Sequence, residues 1–242
     1  MKPSNVDLVF VLDTSASMRP CFDALRANIA QLIKPLQGFS FNVRIGFVAL
    51  HTGKSASGGV VYNLRTMLGT DYADITRGAQ GLFTSNADEF SGALNQLTIE
   101  GDEHQLLALD CALDFPFGPL ALTKRVVAMY SDEPLEGGAF GSQDIVNVPA
   151  LVQKMMARRI QLFAAMPASP GLDELAAADG AEIETVSGGD GLASVDFAKL
   201  LGQMAKSISV SSMQGAEAPY TRALFRQDQW VHISSASASG LR

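Results

Sequence analysis

The run Val6-Asp7-Leu8-Val9-Phe10-Val11-Leu12, followed without a break by Asp13-Thr14-Ser15-Ala16-Ser17, constrains the fold more than any other stretch of the chain. A nearly continuous apolar run rich in valine reads as a strand buried on both faces, the situation of parallel sheets covered by helices. After the turn, Phe22, Leu25, Ile29, Leu32, Ile33 and Leu36 recur at helical spacing behind Pro20, a residue tolerated in a first helical turn. Strand, polar turn and amphipathic helix in that order put the turn at the carboxyl edge of a sheet, where open α/β folds bind their ligands.

The alternation continues to the far end of the chain. Phe41 to Leu50 and Val60 to Leu68 read as strands joined by Gly53-Lys54-Ser55-Ala56-Ser57-Gly58-Gly59, too short for a crossover helix and therefore an antiparallel hairpin. Ala87 to Leu97 and Gln105 to Leu113 read as helices, with Thr98 to His104 returning between them. Lys124 to Tyr130 is the next buried strand, and Ile145 to Ala157, Ile160 to Met166, Gly171 to Ala178, Glu182 to Val186 and Val195 to Ile208 keep the pattern going. The pattern predicts an α/β fold: a doubly wound, mostly parallel six-stranded sheet with one antiparallel edge strand and helices on both faces. Residues 1–213 form that domain, and 214–242 form a C-terminal extension. Its apolar cluster, Tyr220, Leu224, Phe225, Trp230, Val231 and Ile233, either folds back on the domain or docks on a partner, and its serine-rich end reads as disordered.

Composition narrows the function classes. Of the 242 residues 47% are hydrophobic, enough for a sizeable core, yet no stretch approaches the roughly 20 apolar residues of a membrane span. The opening residues lack a signal-peptide pattern, because Asp7 interrupts the apolar stretch, so a cytoplasmic location is expected. A net charge of −7 argues against nucleic acid as partner. The basic pairs Lys124-Arg125 and Arg158-Arg159 read as solvated helix ends or edges. Cys21 and Cys111 fit no metal spacing and read as reduced thiols. His51, His104 and His232 are far apart, and His104 reads as an exposed loop residue. The glycine-rich stretches Glu136–Gly141 and Ser187–Gly191 follow strands and read as rim loops, since neither has the glycine spacing of a nucleotide motif.

Asp13, Ser15 and Ser17, at positions i, i+2 and i+4 of one loop, can turn toward a common point and offer oxygen ligands suited to a small hard cation. The same residues have a purely local use, with Ser17 capping the helix and Asp13 bonding backbone amides. On these residues the chain resembles the von Willebrand factor A (VWA) domain and its metal-ion-dependent adhesion site. The family's Asp-x-Ser-x-Ser motif is met by Asp13, Ser15 and Ser17. Its aspartate at the end of a central strand is matched by Asp132, after Val126-Val127-Ala128-Met129-Tyr130-Ser131. The middle motif, commonly a threonine before a helix containing Ala-Leu, departs from the pattern: counting back from Ala108-Leu109 puts Glu103 in that slot, with Asp102 as competitor. The resemblance spans residues 5 to 210.

The resemblance implies a site for Mg²⁺, or Mn²⁺ or Ca²⁺, formed by Asp13, Ser15, Ser17, Glu103 and Asp132, with an open position filled by an Asp or Glu of a partner protein. An acidic Glu103 would lower the site's attraction for such a ligand. It implies a non-enzymatic interaction module, and bacterial members of this kind work beside AAA+ ATPases of the MoxR type or in stress and metal-resistance systems such as tellurite resistance. A Mg²⁺-dependent phosphatase of the haloacid dehalogenase type, with Asp13 as nucleophile, is the alternative. That chemistry needs a second acid two residues on, where this chain has Ser15.

Overall fold

The computed structural model describes residues 4–38, 41–57, 60–69, 71–99, 102–135, 147–178, 180–190, 192–214, 222–226 and 229–233. Its frame is the expected one. Strands β1 (Asn5–Leu12), β2 (Asn42–Lys54), β3 (Val60–Thr66), β5 (Thr123–Tyr130), β6 (Ile160–Met166) and β7 (Glu182–Thr185) form a sheet in the order β3-β2-β1-β5-β6-β7. All of these neighbours are parallel except β2 and β3, which form the hairpin edge, paired from Val48↔Thr66 to Lys54↔Val60. A two-residue strand, β4 (Asp102–Glu103), pairs antiparallel with β2 beyond the end of β1.

Helices cover both faces, which is why the strands carry apolar residues in succession. On one face lie α1 (Arg19–Gly38), α3 (Ala87–Leu94) and α7 (Phe197–Gln214), over Leu8, Phe10, Leu12, Val126 and Tyr130. The other face is covered by α4 (Gln105–Leu113), α5 (Val148–Arg158) and α6 (Pro170–Leu175), over Val9, Val11, Val127 and Met129. A short helix not foreseen from periodicity, α2 (Tyr72–Thr76), is too brief to show a stripe and is started by its Asp71 cap, which accepts from the Ala73 amide. Cys21 and Cys111 are free and buried. Among the described residues no helix is long and apolar enough to cross a membrane.

Two strands extend the sheet past β7. β8 (Arg222–Arg226) pairs parallel to β7 through Ile183↔Leu224 and Glu184↔Phe225, and β9 (Gln229–Ile233) returns antiparallel to β8. The side chains of the extension's apolar cluster, and the loop Glu136–Gly141, lie outside the described residues.

Several polar residues inside this frame are held by specific partners. Asp7, fully buried within β1, is gripped by the Arg44 guanidinium through two bonds of 2.8 and 2.6 Å and by the Gly118 amide at 2.7 Å. The expectation that Lys124-Arg125 is solvated is overturned at Lys124, which is buried at the start of β5 on the α7 face. A strand covered by helices on both sides buries whatever its pleat points inward, and here that includes a lysine stem with Glu182 as its counter-charge. Glu182 also accepts bonds from Ser207 of α7 and from Gln161 Nε2 at 3.0 Å. Arg125 folds back on the Gly118 and Arg158 carbonyls.

Burial pushes the Glu182 carboxyl up to about 7 from 4.5, against the opposing pull of Ser207, Lys124 and Gln161, and pushes the Lys124 ammonium down to about 8. In the window between pH 4.5 and about 7 the folded chain holds a proton on Glu182 that the unfolded chain has released. Stability from this group is therefore present below pH 4.5 and is lost as pH rises toward 7, at a slope of at most about 1.4 kcal/mol per pH unit. Glu182→Gln keeps the hydrogen-bonding shape and removes the titration. Urea unfolding in chelator at pH 5 and pH 7.5 should show a smaller loss of stability with pH in that variant than in the wild type.

Candidate functional site

The strand order reverses about β1, since β2 lies on one side of it and β5 on the other. The crevice beyond the carboxyl ends of two such strands is where this class of sheet binds ligands. β1 and β5 run in register from Asn5↔Thr123 to Leu12↔Tyr130, so the residues that follow each strand emerge side by side. Asp13 is next after β1, with its amide 3.4 Å from the Tyr130 carbonyl, and Ser131 and Asp132 are next after β5.

Asp13 is buried and both carboxylate oxygens accept hydrogen bonds: Oδ1 from the Ser15 amide at 2.7 Å and Oδ2 from the Ser131 hydroxyl at 2.8 Å. The first bond bends the chain back on itself, and a short 3₁₀ turn, Ala16–Met18, leads into α1. That turn carries Ser15 and Ser17 across the crevice. Ser15 Oγ lies 3.0 Å from Ser17 Oγ, and the Ser17 hydroxyl donates to Asp132 Oδ1 at 3.0 Å. Ser15 stands at the cap position of the turn without making a side-chain cap bond. The local reading therefore holds for Asp13, which does bond a backbone amide, while the serine hydroxyls point to each other and to Asp132. Ser17 is exposed, whereas Ser15 and Asp132 are buried beneath it, so the cluster opens to solvent at Ser17.

Asp13 and Asp132 share a poorly solvated crevice. Burial raises the Asp13 carboxyl above the usual carboxylate range, opposed by the bonds from the Ser15 amide and Ser131 and reinforced by the nearby charge of Asp132. The Cys21 thiol, in the first turns of α1, is pushed up by burial and by the same two carboxylates.

Three neighbours were not singled out from the sequence. Ser131 bonds Asp13, receives the Gln105 side-chain amide at 2.7 Å and receives the Glu133 amide at 3.0 Å. Gln105 opens α4 and ties that helix to the crevice. Gly189, with φ of 78° in the left-handed region that favours glycine, donates its amide to the Asp132 carbonyl at 2.8 Å. The Ser187–Gly191 stretch thus lies on the rim as far as residue 190, and residue 191 is outside the described set. A serine beside a strand-end aspartate carries a faint signal at most, and a glutamine three residues ahead of Ala108 carries none.

Glu103 pairs through its backbone with His51 on β2, whose ring Nδ1 is 3.3 Å from the Thr14 hydroxyl. The strand β4 therefore runs beside the Asp13 turn, but the side chains of Asp102 and Glu103 lie outside the described residues. His104 corrects the expectation of an exposed loop histidine: it is fully buried, caps α4 by accepting the Leu107 amide at 3.3 Å, and its ring faces Tyr62 at 6.0 Å. Its position between a strand and a helix start put it inside.

A cation fits this donor set. Oxygens on adjacent corners of an octahedron around Mg²⁺, each at 2.0–2.1 Å from the ion, lie about 2.9 Å apart. The Ser15–Ser17 and Ser17–Asp132 separations of 3.0 Å match that edge. Among the described residues no three His, Cys, Asp or Glu side chains converge, so any such site would rest on the serine hydroxyls as well as on carboxylates.

No family model and no curated protein matches the chain. Solved structures do. The SpRpn10 VWA domain matches with a TM-score of 0.51 at 12% identity, over 84% of this chain and 95% of that one. A von Willebrand factor type A protein from Catenulispora acidiphila gives 0.53 at 14% identity, over 86% of this chain and 43% of that one. The open conformation of the pilus adhesin SpaC from Lactobacillus rhamnosus GG gives 0.50 at 13%, over 87% and 30%. The chain thus spans less than half of the latter two. At these identities the likeness establishes the fold, which is that of VWA domains.

The cap at His104 generates its own prediction. His104→Ala removes both the acceptor for the first turn of α4 and a buried ring, and should destabilise the protein by about 1–3 kcal/mol. Urea unfolding in the presence of chelator measures it.

Proposed function

We propose that this chain is a metal-dependent protein-interaction module of the VWA family, in which Asp13, Ser15, Ser17 and Asp132 hold a divalent cation and a partner protein supplies the last ligand. The observation that carries the reading is the pair of 3.0 Å oxygen spacings linking Ser15, Ser17 and Asp132, contributed by two segments 115 residues apart, at the edge spacing of a Mg²⁺ octahedron. When bound, Mg²⁺, or Mn²⁺ or Ca²⁺, would supply an electrophilic position for a carboxylate oxygen.

This chain's residues set the terms of that encounter. Ser15 and Ser17 are neutral donors, so they place oxygen without cancelling the cation's charge. Asp13 has both oxygens engaged by Ser15 and Ser131, which suits a carboxylate that shapes the loop and meets the ion through water. Asp132 closes the cluster from β5. Glu103, on the strand beside the Asp13 turn, is the proposed fifth member, and its charge would favour the metal while disfavouring an acidic partner. Because the cluster opens at Ser17, a partner's Asp or Glu would approach over the rim between the Asp13 turn and residues 187–190. A bacterial, cytoplasmic setting beside an AAA+ ATPase of the MoxR type, or in a stress or metal-resistance system, rests on the family resemblance alone. The phosphatase alternative finds less support, because Asp13 is buried with both oxygens already bonded and Ser15 stands where the second acid is needed.

Two measurements test the proposal. Mg²⁺ at one hundred times its Kd should stabilise the wild type by about 2.7 kcal/mol, a rise in Tm of roughly 5–10 °C for a chain of this size. Asp13→Ala should lose that shift and the calorimetric binding isotherm while melting close to the wild type in chelator. Glu103→Thr should weaken Mg²⁺ binding and strengthen binding of an acidic peptide in its presence. A pull-down from the native host that captures the same proteins with and without chelator would sink the metal-dependent part. Turnover of an aryl phosphate that disappears in Asp13→Asn would establish the enzyme instead.

A further inference from the structure

Ser131 and Gln105 are buried, touch Asp13 directly or through one bond, and have no place among the five proposed ligands. A hydroxyl has one proton to donate and two lone pairs to accept with. At Ser131 both acceptor positions are taken, one by Gln105 Nε2 at 2.7 Å and one by the Glu133 amide at 3.0 Å. The single proton is left to point at an acceptor. Two lie within reach, Asp13 Oδ2 at 2.8 Å and the Glu133 carbonyl at 3.3 Å, and the shorter contact is to a carboxylate, which makes the stronger bond. The direction of the relay is thereby set: Gln105 donates to Ser131, and Ser131 donates to Asp13.

We propose that Ser131, oriented by Gln105, is a positioning residue for the cation site, holding the Asp13 carboxylate in one rotation so that its other oxygen shapes the Ser15–Ser17 turn. The inference rests on the metal-site reading above. The relay connects the three segments that the site draws on, since Asp13 follows β1, Ser131 precedes Asp132 at the end of β5, and Gln105 heads α4 two residues after Glu103. Without the bond to Oδ2 the carboxylate can turn about its own axis. Ser15 then loses a fixed acceptor for its amide, and the 3.0 Å spacing of the serine hydroxyls is no longer imposed. Groups that orient a metal's ligands without touching the metal typically change its affinity by about 10–100-fold when removed.

The test is Mg²⁺ titration by calorimetry on the full chain, paired with thermal melts in chelator. Ser131→Ala should weaken Mg²⁺ binding by about 10-fold or more, while Ser131→Thr, which keeps the hydroxyl, should stay within a few-fold of wild type. Gln105→Met, similar in length and without the donor, should weaken binding by less than Ser131→Ala does. Because Gln105 acts through Ser131, the double variant should bind no more weakly than Ser131→Ala alone, a non-additivity expected of residues in one network. Ser131→Ala binding Mg²⁺ as the wild type does would overturn the relay, as would additive losses in the double variant. A purely structural role would lower the melt in chelator and leave the affinity of the folded protein unchanged. Should Ser131→Ala fail to fold, Gln105→Met decides, since unchanged affinity there removes the relay. No Mg²⁺ binding by the wild type defeats the metal-site reading itself, and the relay with it. Binding by the wild type that is indifferent to Ser131 and Gln105 defeats the relay alone.

Discussion

The register between β1 and β5 is the constraint on which everything at the carboxyl edge depends. Eight consecutive pairings, from Asn5↔Thr123 to Leu12↔Tyr130, make the two strands end level. A slip of one residue would turn Asp13 away from Ser131 and exchange the buried faces of β1, sending Leu8, Phe10 and Leu12 toward α4 in place of Val9 and Val11. The register is held at its lower end by Asp7, clamped by Arg44 of β2 and the Gly118 amide before β5. Its upper end is held by packing, where Phe10 meets Tyr130 and Phe90, and Tyr130 meets Phe197 of α7. This aromatic layer forms the floor near the crevice, since Phe10 and Tyr130 lie just ahead of Asp13 and Ser131 in their strands.

Burying a polar group costs stability unless hydrogen bonds offset the loss of hydration. Asp13 and Ser131 meet that condition at one end of the sheet. At the other, Lys124, Gln161, Glu182 and Ser207 form a second buried polar group between β5, β6, β7 and α7. The two differ in kind. The first is reached from solvent at Ser17 and draws on segments that leave the sheet, while the second lies on strand residues under a helix. An accessible crevice of loop-borne oxygens is suited to exchanging a ligand. A polar contact sealed beneath α7 is suited to fixing how that helix sits, and its sensitivity to pH is a by-product of burial.

Much of this was legible in the sequence because it depends on period and punctuation. The runs Lys124 to Tyr130 and Ile160 to Met166 are apolar enough on both pleat faces to declare buried parallel strands, and the glycine-rich link after β2 is too short for anything but a hairpin. Asp13, Ser15, Ser17 and Asp132 stand out because they follow directly on the apolar runs that form β1 and β5, and the fold brings the oxygens of the last three together. Other features escaped because nothing local encodes them. Lys124 looks like a surface residue by type, and only its inward register and the carboxylate of Glu182 place it inside. His104 looks like a loop residue, yet it follows a two-residue strand too short to leave any pattern and caps α4 beneath Tyr62. Ser131 and Gln105 are 26 positions apart, and their pairing exists only because α4 and β5 bring them to one carboxylate.

The backbone bond of Asp13 and the convergence of the serine hydroxyls on Asp132 are two halves of one arrangement. Asp13 spends Oδ1 on the Ser15 amide, a bond that any strand-to-helix turn could use. That bond turns the following residues back over the strand end, and it does so with Oδ2 already anchored to β5 through Ser131. The turn is therefore fixed relative to β5 as well as to β1, and this double attachment aims Ser17 at Asp132 across the crevice. A loop attached only to its own strand could present two hydroxyls but could not hold them at a set distance from a carboxylate on another strand. Convergence of neutral hydroxyls on a distant carboxylate is more than starting the 3₁₀ turn requires, since that turn begins without a side-chain cap bond from Ser15. The result is a surplus of organised oxygen at the mouth of the crevice, where Ser17 meets solvent.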